Sequence, residues 1–499
     1  MKLPKSFYSW TTAIGAAITI ISIILFIFIL ILSFLFGEGS GYTGIVTYLI
    51  LPFFIVLGIL LIPIGIIRKR RKEKREKIVR EVKFPVFDFN DPKQRKVFFI
   101  FGTGTIIFIM LVGVLSYEGF HYTETTTFCG TQCHEVMKPE YTAYQHSSHA
   151  RVGCVDCHIG GGANWTVKSK LSGLYQVYSV TFNKFQRPIP TPIHNLRPAR
   201  ETCEECHWPE KFYSRQLVLE KHYLVDENNT EWDINLQMKT GPEHSGQGLI
   251  EGIHWHINPD IQVEYISTDP KREHISWVKY TNKKSGKEII FQEEGGNLTN
   301  EQLDTLEIRT MDCLDCHNRP SHNYNSPMTF VNRAISAGSI PQELPEIKML
   351  ALEILGLDFS TSDSAMNYIE TTVNEFYESS YKELFLKRKD LVESAITGIQ
   401  LEFNKNIFPE MKVNWKAYPN YIGHLEFNGC FRCHNNQNQS ENGRTISMDC
   451  DLCHTIIAQG VPDTLQVTNY NSSLEFVHPN DPDQNWKEML CADCHSELY

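Results

Sequence analysis

Seven copies of one short cysteine and histidine pattern constrain this chain more than any other feature. Each copy has two cysteines, with a histidine directly after the second. Six copies read C-x-x-C-H, and the earliest reads C-x-x-x-C-H. Together they use all 14 cysteines of the 499 residues, so none is left for a disulfide. The motifs, numbered one to seven below, are Cys129/Cys133/His134, Cys154/Cys157/His158, Cys203/Cys206/His207, Cys313/Cys316/His317, Cys430/Cys433/His434, Cys450/Cys453/His454 and Cys491/Cys494/His495.

This spacing is typical of covalent c-type haem attachment. The two thiols form thioethers with the haem vinyl groups, and the next residue supplies an imidazole to the iron. Zinc ribbons also use C-x-x-C pairs, but they need four ligands per metal and no histidine after every second cysteine. The pattern therefore predicts seven covalently bound haems. Because these groups fill much of the interior, a conventional large apolar core is not required.

Three uncharged stretches precede the motifs, at residues 11–36, 41–67 and 97–117. Each is long enough to cross a bilayer as a helix. The first is too long for the apolar part of a signal peptide and lacks a small-residue cleavage site, so we expect it to remain as an anchor. The basic run at 68–80 belongs on the cytoplasmic side, and beside a helix it is more typical of a topology signal or lipid contact than of nucleic-acid binding. The sequence thus predicts a cytoplasmic N-terminus, with His121 onward on the periplasmic face of the inner membrane, where bacteria attach haem c.

Charge is divided unevenly along the chain. The first 100 residues carry 15 Lys and Arg against 6 Asp and Glu, while the remainder carries 32 against 52. The overall net charge of −11 therefore combines a basic membrane region with a strongly acidic outer region. An acidic surface favours docking to a basic patch on a periplasmic acceptor.

Motif spacing predicts a mainly α multihaem cytochrome with a small antiparallel β insertion and a helical subdomain. Apolar residues alternate at 252–257, 261–267, 275–280 and 288–291, which indicates strands, the last two joined by a hairpin turn at 281–287. Helical spacing at 345–355, 362–381 and 382–403 indicates amphipathic helices. The predicted domains are a membrane domain at 1–117, a three-haem module at 118–207, a β-rich insertion at 208–309, the fourth haem with the helical subdomain at 310–424, and a C-terminal three-haem module at 425–499.

An iron that only transfers electrons needs a second axial ligand, and twelve histidines lie outside the motifs. Four are less favourably placed, His121, His222, His244 and His274, and His146 is close enough to His149 to compete with it. The best candidates lie in haem-rich stretches or near glycine, proline or aromatic residues: His149, His194, His254 or His256, His322, His424 and His478.

The segments CHEVMKPEY and HSSHARVGCVDCHIG resemble sequences of the NapC/NirT family. Members of this family are membrane-anchored tetrahaem cytochromes that take electrons from quinol and pass them to periplasmic partners. Further along, NLRPARETCEECHWPEKF, GIHWHI, MDCLDCHNRPSH and YPNYIGHLEFNGCFRCH are similar to seven-haem inner-membrane cytochromes of the ImcH type, known from bacteria that respire extracellular acceptors. The resemblance extends from about Tyr117 to the C-terminus. It implies menaquinol or quinol oxidation in anaerobic respiration.

Two departures from the family pattern are visible, in the first motif and in the number of anchor helices, beside one agreement at two lysines. The membrane-proximal haem of the family has C-x-x-C-H-x-M with that methionine as axial ligand, whereas Met137 here lies three residues beyond His134. A lysine after the second haem site of the family approaches that haem or the quinol, and both Lys168 and Lys170 occupy the matching region. The family usually has one anchor helix, whereas three are predicted here.

The position of the first motif argues for a quinol site there. Cys129 follows closely on Tyr117 at the end of the third apolar stretch, so the first haem belongs at the membrane surface, within reach of a lipid-soluble quinol. Oxidising quinol releases two protons, which require acceptors. The candidate acceptors are Glu118, Glu124, Glu135 and Glu140, with Tyr141 and Tyr144 as hydrogen-bonding partners.

Three function classes follow from these features. The leading hypothesis is a conduit that takes electrons from the quinol pool to a soluble periplasmic cytochrome or reductase. The second is a terminal reductase of a small oxyanion, which needs one iron with an open position. The third is a passive wire, fed by another membrane subunit that binds the extra helices.

Overall fold

The computed structural model describes residues 9–36, 50–76, 88–132, 134–160, 163–191, 197–212, 214–243, 249–293, 298, 303, 305–469 and 472–496. It divides into two compact units. The first unit comprises Met1–Thr125 and Cys154–Val177, and the second comprises Thr126–Gly153 and Tyr178–Tyr499. The second motif thus belongs to the unit that contains the predicted spans.

Three long apolar helices dominate the first unit: α1 (Trp10–Phe36), α2 (Leu51–Glu76) and α3 (Pro92–Thr123). By length and composition each could cross a membrane, as predicted. Helix α2 continues beyond the predicted end at residue 67, so the described part of the basic run is helical and not a loop. The reason is that Lys, Arg and Glu are good helix formers, and the chain need not unwind where it leaves the hydrocarbon. The predicted start of this span, 41–49, lies outside the described residues.

Helix α3 also begins earlier than predicted. The Asp91 side chain accepts a hydrogen bond from the Lys93 backbone N–H at 2.9 Å, and Pro92 occupies the first helical position. Helices α1 and α2 pack closely through small residues: a Cβ added at Gly58 would lie 2.8 Å from the Gly15 carbonyl oxygen. In contrast, a Cβ at Gly104 of α3 would meet no atom within 4 Å.

The remaining helices include the short turns that carry motifs and a group that forms its own apolar core. Tyr377, Ile399 and Phe403 are fully buried in this core, so the helical subdomain folds around ordinary apolar packing. Two of the predicted amphipathic helices match α10 and α11, whereas Arg388 divides the third into α12 and α13. The helices are α4 (Thr126–Thr131), α5 (His134–Gln145), α6 (Cys154–His158), α7 (Ala163–Thr181), α8 (Ala199–Cys203), α9 (Pro327–Ser336), α10 (Ile347–Leu355), α11 (Ser362–Ser380), α12 (Lys382–Lys387), α13 (Lys389–Asn406) and α14 (Cys491–His495).

Two antiparallel sheets lie in the second unit. One has strand order β1-β2-β8-β9 and the other β6-β3-β4-β5-β7. Each sheet includes strands from the C-terminal region, and β2 pairs with β8 so that Met238 faces His454 of the sixth motif. The strands are β1 (Gln216–Tyr223), β2 (Glu231–Met238), β3 (Ile261–Ser267), β4 (Ile275–Asn282), β5 (Lys287–Glu293), β6 (Arg309–Thr310), β7 (Asn438–Ser440), β8 (His454–Gly460) and β9 (Gln466–Val467).

The predicted strands at 261–267, 275–280 and 288–291 correspond to β3, β4 and β5, whereas β1 and β2 were not predicted. The strand predicted at 252–257 is wrong. Gly252 adopts a positive φ of 86°, and the chain then forms a 3₁₀ helix over Ile253–Ile257. This local change determines where two histidines point.

Candidate haem sites

Several motifs adopt a single helical turn. In three of them the histidine N–H donates to the carbonyl of the first cysteine, at 2.7 Å for His207, 2.8 Å for His317 and 3.0 Å for His434. Positions i, i+3 and i+4 share one face of such a turn. Both cysteine sulfurs and the imidazole of a C-x-x-C-H motif are therefore directed to the same side, as attachment of one planar group requires.

The cysteines of the second and third motifs differ in exposure. Cys157 and Cys206 are exposed, whereas Cys154 and Cys203 of the same motifs are partly covered. The exposed sulfur atoms are accessible to a vinyl group, so both cysteines remain predicted attachment residues.

Five motif histidines each face a second imidazole. Two imidazoles that bind one metal from opposite sides, through bonds of about 2 Å, have ring centres about 6 Å apart. The five observed separations between ring centres agree with this value, which is too long for direct stacking. They are 6.1 Å for His149 and His207, 6.3 Å for His254 and His317, 5.9 Å for His256 and His434, 6.2 Å for His424 and His454, and 5.9 Å for His478 and His495.

Backbone carbonyls hold several of these rings in one orientation. The Nδ1 atoms lie 3.1 Å from the Pro320 oxygen in His149, 2.8 Å from the Thr240 oxygen in His254, and 2.9 Å from the Ile253 oxygen in His256. A carbonyl oxygen only accepts, so each Nδ1 carries the proton. In the neutral ring the Nε2 lone pair is then free, which is the arrangement found for metal-binding histidines.

The 3₁₀ helix over Ile253–Ile257 directs two neighbouring histidines toward two different motifs. In a strand, His254 and His256 would point to the same face. At three residues per turn, positions i and i+2 point in different directions. His254 therefore faces His317 of the fourth motif, and His256 faces His434 of the fifth. The sequence offered these two residues as alternatives, and in the structure each faces the histidine of a different motif.

Burial keeps many of these imidazoles neutral. It lowers the pKa of His424 to about 4, with a smaller contribution from nearby His454. The Phe431 ring stacks on His424 at 4.5 Å and excludes water from it. Burial is also the main cause that lowers the pKa of His254, His256, His317, His454 and His495.

Several motifs from the third onward lie next to one another. The Cys203 and Cys313 side chains form a hydrogen bond, which joins the third motif to the fourth. Arg432 of the fifth motif donates to the backbone carbonyl of Asp315 in the fourth. Residues of the fifth and seventh motifs, Arg432 and Asp493 among them, line one cavity, so the later motifs form a group of neighbouring attachment sites.

Comparison with known proteins agrees with this geometry. Residues 91–189 match the N-terminal region of the NapC/NirT cytochrome c family. Over 493 residues the chain is 40% identical to the cytochrome c-type protein ImcH of Geobacter sulfurreducens, covering 98% of this chain and 95% of that protein. The chain belongs to the NapC/NirT cytochromes c, together with ImcH.

More distant members of this family match only part of the chain. The cytochrome c-type protein NrfH of Wolinella succinogenes is 26% identical over 22% of this chain and 66% of its own length. The cytochrome c-type protein TorC of Escherichia coli is 36% identical over 21% of this chain and 30% of its own length. No solved structure matches significantly. Membership in the NapC/NirT cytochromes implies covalently bound haem c, and the paired imidazoles and helical motif turns fit that group.

The first two motifs of this NapC/NirT cytochrome are described less completely. Cys133, the side chain of His134 and His194 lie outside the described residues. Met137 is half-buried on α5. The Nδ1 atom of His322 lies 3.0 Å from the Glu140 carbonyl oxygen, which fixes this ring in the same manner as the paired histidines, although it is not one of the five pairs.

The lower-ranked histidines have other surroundings. His146 is exposed, and its Nδ1 lies 2.8 Å from the Thr142 carbonyl of its own helix, whereas His149 faces the third motif. His274 is exposed and lies 3.2 Å from Glu293. His222 lies 3.3 Å from the Asn332 amide, and His121 lies beside Tyr117 in α3. His244 is outside the described residues.

Of the four residues predicted to act in quinol chemistry, the structure describes the side chains of two, Lys168 and Glu140. Lys168 is exposed, with its ammonium 4.6 Å from the centre of the Trp165 ring, and belongs to the first unit. Glu140 belongs to the second unit, where burial raises its pKa and the neighbouring Arg319 guanidinium opposes that rise. The side chains of Lys170 and Glu135 lie outside the described residues.

A buried ionic cluster inside the fourth motif was not predicted from the sequence. The Asp315 side chain is 1% exposed and accepts hydrogen bonds from the Arg309 Nε and the Tyr265 hydroxyl, each at 2.6 Å. Arg432 of the fifth motif donates to the Asp315 backbone carbonyl at 2.6 Å. The charged residues between the motif cysteines were the available signal, because charge is rarely placed between closely packed cofactors without a partner.

Proposed function

We propose that this chain is a seven-haem quinol dehydrogenase of the inner membrane, which oxidises menaquinol and delivers electrons to a periplasmic acceptor. The observation that carries the proposal is the opposed pair of imidazoles at five motifs. Bound haem c supplies one-electron redox chemistry whose potential depends on the axial ligands. Two fixed histidines leave no open position for an oxyanion, so these five sites favour electron transfer over terminal reduction.

In this proposal the partner histidines are the distal axial ligands. His149 serves the third motif, His254 the fourth, His256 the fifth, His424 the sixth and His478 the seventh. Met137 remains the proposed ligand for the first motif, and His194 and His322 are the remaining candidate distal ligands. The proximity of the third, fourth, fifth and seventh motifs supports electron transfer among them, because their attachment sites neighbour one another.

Electron input is proposed at the first motif, and output at the acidic region. Helix α3 ends at Thr123 and Cys129 follows almost directly, which supports a site at the membrane surface. Lys168, Lys170, Glu135 and Glu140 are proposed to bind quinol and accept its two protons. The excess of acidic residues after residue 100 supports docking of a basic periplasmic cytochrome or reductase.

Haem count is the first expected result. All 14 cysteines lie in motifs, so the denatured protein should exceed the apo chain by seven haem masses in intact mass spectrometry. A chain with Cys129 and Cys133 replaced by serine should carry six. A native excess of only six, with both cysteines alkylatable, would show that the longer first spacing is not used.

The second expected result concerns the orientation of the chain in the membrane. Protease added outside intact spheroplasts should digest the haem region and leave the basic part of α2, Arg68 to Arg75, protected, because positive residues remain in the cytoplasm. Antibody to a tag at the N-terminus should bind only after permeabilisation. Cleavage within the basic part of α2 from the outside would contradict the three-span topology.

Quinol input is tested by substitution near the first motif. Met137→Ala and Lys170→Gln should each slow reduction by a menaquinol analogue by roughly tenfold or more, the loss expected for a ligand or a proton-transfer group. Reduction by dithionite and the haem mass should not change. High ionic strength should slow electron delivery to the acceptor but not quinol oxidation. Wild-type quinol rates in both variants, still blocked by a quinone-site inhibitor, would locate input elsewhere.

A further inference from the structure

Helix α7, which follows the second motif, exposes large apolar side chains. Four of its large apolar side chains are exposed: Leu171 is 63% exposed, Leu174 69%, Tyr175 67% and Tyr178 51%. These positions follow the i, i+3, i+4, i+7 spacing of one helical face. We call them the α7 stripe. A helix on a water-soluble surface carries such a stripe toward the core and not away from it.

The side chains of α7 that are covered include small polar ones. Ser169 and Ser172 are half-buried and Ser179 is only 5% exposed, and among the described residues the Ser179 hydroxyl has no hydrogen-bond partner. Leaving four large apolar side chains in water while covering serines is unfavourable, since each buried aliphatic side chain contributes about 1.5–3 kcal/mol. The arrangement is favourable only if an apolar medium covers the stripe.

The charge of the sequence around α7 indicates which apolar medium covers the α7 stripe. Between residues 157 and 200 the sequence contains six Lys and Arg and no Asp or Glu, although the chain after residue 100 is strongly acidic. Lys168, Lys184 and Arg187 are exposed. A basic helix with an aromatic and aliphatic stripe is the pattern of helices that lie in the interface of an anionic bilayer.

The position of α7 in the fold also favours contact with a membrane. Residues 163–177 of α7 belong to the compact unit that contains the three apolar helices α1 to α3. Ser, Lys and Gln residues interrupt the apolar sequence of α7, which makes it unsuited to cross the hydrocarbon itself. We propose that α7 lies in the plane of the membrane, with its stripe among the acyl chains and its lysines at the phospholipid headgroups.

The test uses the full-length protein in nanodiscs of phosphatidylglycerol and phosphatidylethanolamine that contain a phospholipid with a diazirine near the glycerol. After illumination, trypsin releases residues 171–184 as one peptide, since cleavage follows Lys170 and Lys184. The matched control is residues 383–387, which carry Leu386, an apolar side chain that is 73% exposed. Mass spectrometry should find lipid adducts on the α7 peptide at roughly ten times the control level.

Two variants refine the result. Leu171→Ser with Leu174→Ser should reduce the adducts to the control level, with haem mass unchanged. Lys168→Gln with Arg187→Gln should reduce them several-fold in phosphatidylglycerol but not in phosphatidylcholine. Wild-type adducts at the control level would overturn the proposal, as would adducts of this peptide with a second polypeptide in place of lipid. Labelling needs no quinol, so the outcome is independent of quinol oxidation.

Discussion

Replacing His424 by alanine is expected to convert one haem of the oxidised protein from low-spin to high-spin. The ring of His424 faces that of His454 at 6.2 Å, so alanine removes the proposed axial ligand and opens one side of the sixth site. The reduced variant should bind carbon monoxide at one haem, whereas the wild type should not. Electron paramagnetic resonance and carbon monoxide difference spectra measure both effects.

Two further variants separate ligation from packing. His424→Met supplies another axial ligand and should remain low-spin, although it also removes the ring that stacks on Phe431. His274→Ala removes an exposed histidine that contacts only Glu293 among the pairs described here, and should leave the spectra unchanged. A low-spin His424→Ala protein with its full haem mass would show that the paired rings are not axial ligands.

The largest expected effect on stability comes from Asp315→Asn. The Asp315 carboxylate accepts hydrogen bonds from Arg309, Tyr265 and the Asp312 N–H, at 2.6, 2.6 and 2.7 Å. Asparagine removes the charge that balances a buried arginine and turns an NH₂ group toward a donor. Breaking a buried ion pair costs about 3–5 kcal/mol. In a domain of this size we expect the midpoint of thermal unfolding to fall by roughly 10 °C.

Asp493→Asn is the matched control, because Asp493 occupies the same position in the seventh motif. It is exposed, and its carboxylate accepts only from the Leu490 N–H, at 3.0 Å, among the contacts described. Loss of such a cap costs about 1 kcal/mol. Circular dichroism should therefore separate the two variants clearly. Equal midpoints would mean that the Asp315 cluster does not hold the fourth motif together.

The haem motifs and the apolar helices could be predicted from the sequence because each is a local pattern. Seven repeats of one spacing indicate haem c without any knowledge of the fold, and the uncharged runs indicate α1 to α3 by length alone. The strands β3 to β5 followed from alternation. Strand β2 also shows this alternation, with the apolar residues Trp232, Ile234 and Leu236 two positions apart. The same pattern could therefore have predicted it.

The pairing of distal histidines could not be read in this way. His254 and His256 face different motifs because the chain after Gly252 forms a 3₁₀ helix, in which positions i and i+2 point in different directions. Likewise, His149 faces a motif 58 positions away in sequence, and its ring is fixed by the carbonyl of Pro320. Such contacts depend on long-range packing, for which short windows of sequence carry no signal.

Quinol oxidation by this NapC/NirT cytochrome can be measured by anaerobic stopped-flow spectroscopy of the oxidised protein in nanodiscs, mixed with a menaquinol analogue. We expect rapid growth of the reduced haem bands, blocked by a quinone-site inhibitor, with two protons released per quinol consumed. Absence of reduction by the quinol, in protein that dithionite reduces completely, would show that the protein does not oxidise quinol and would favour a wire fed by another subunit.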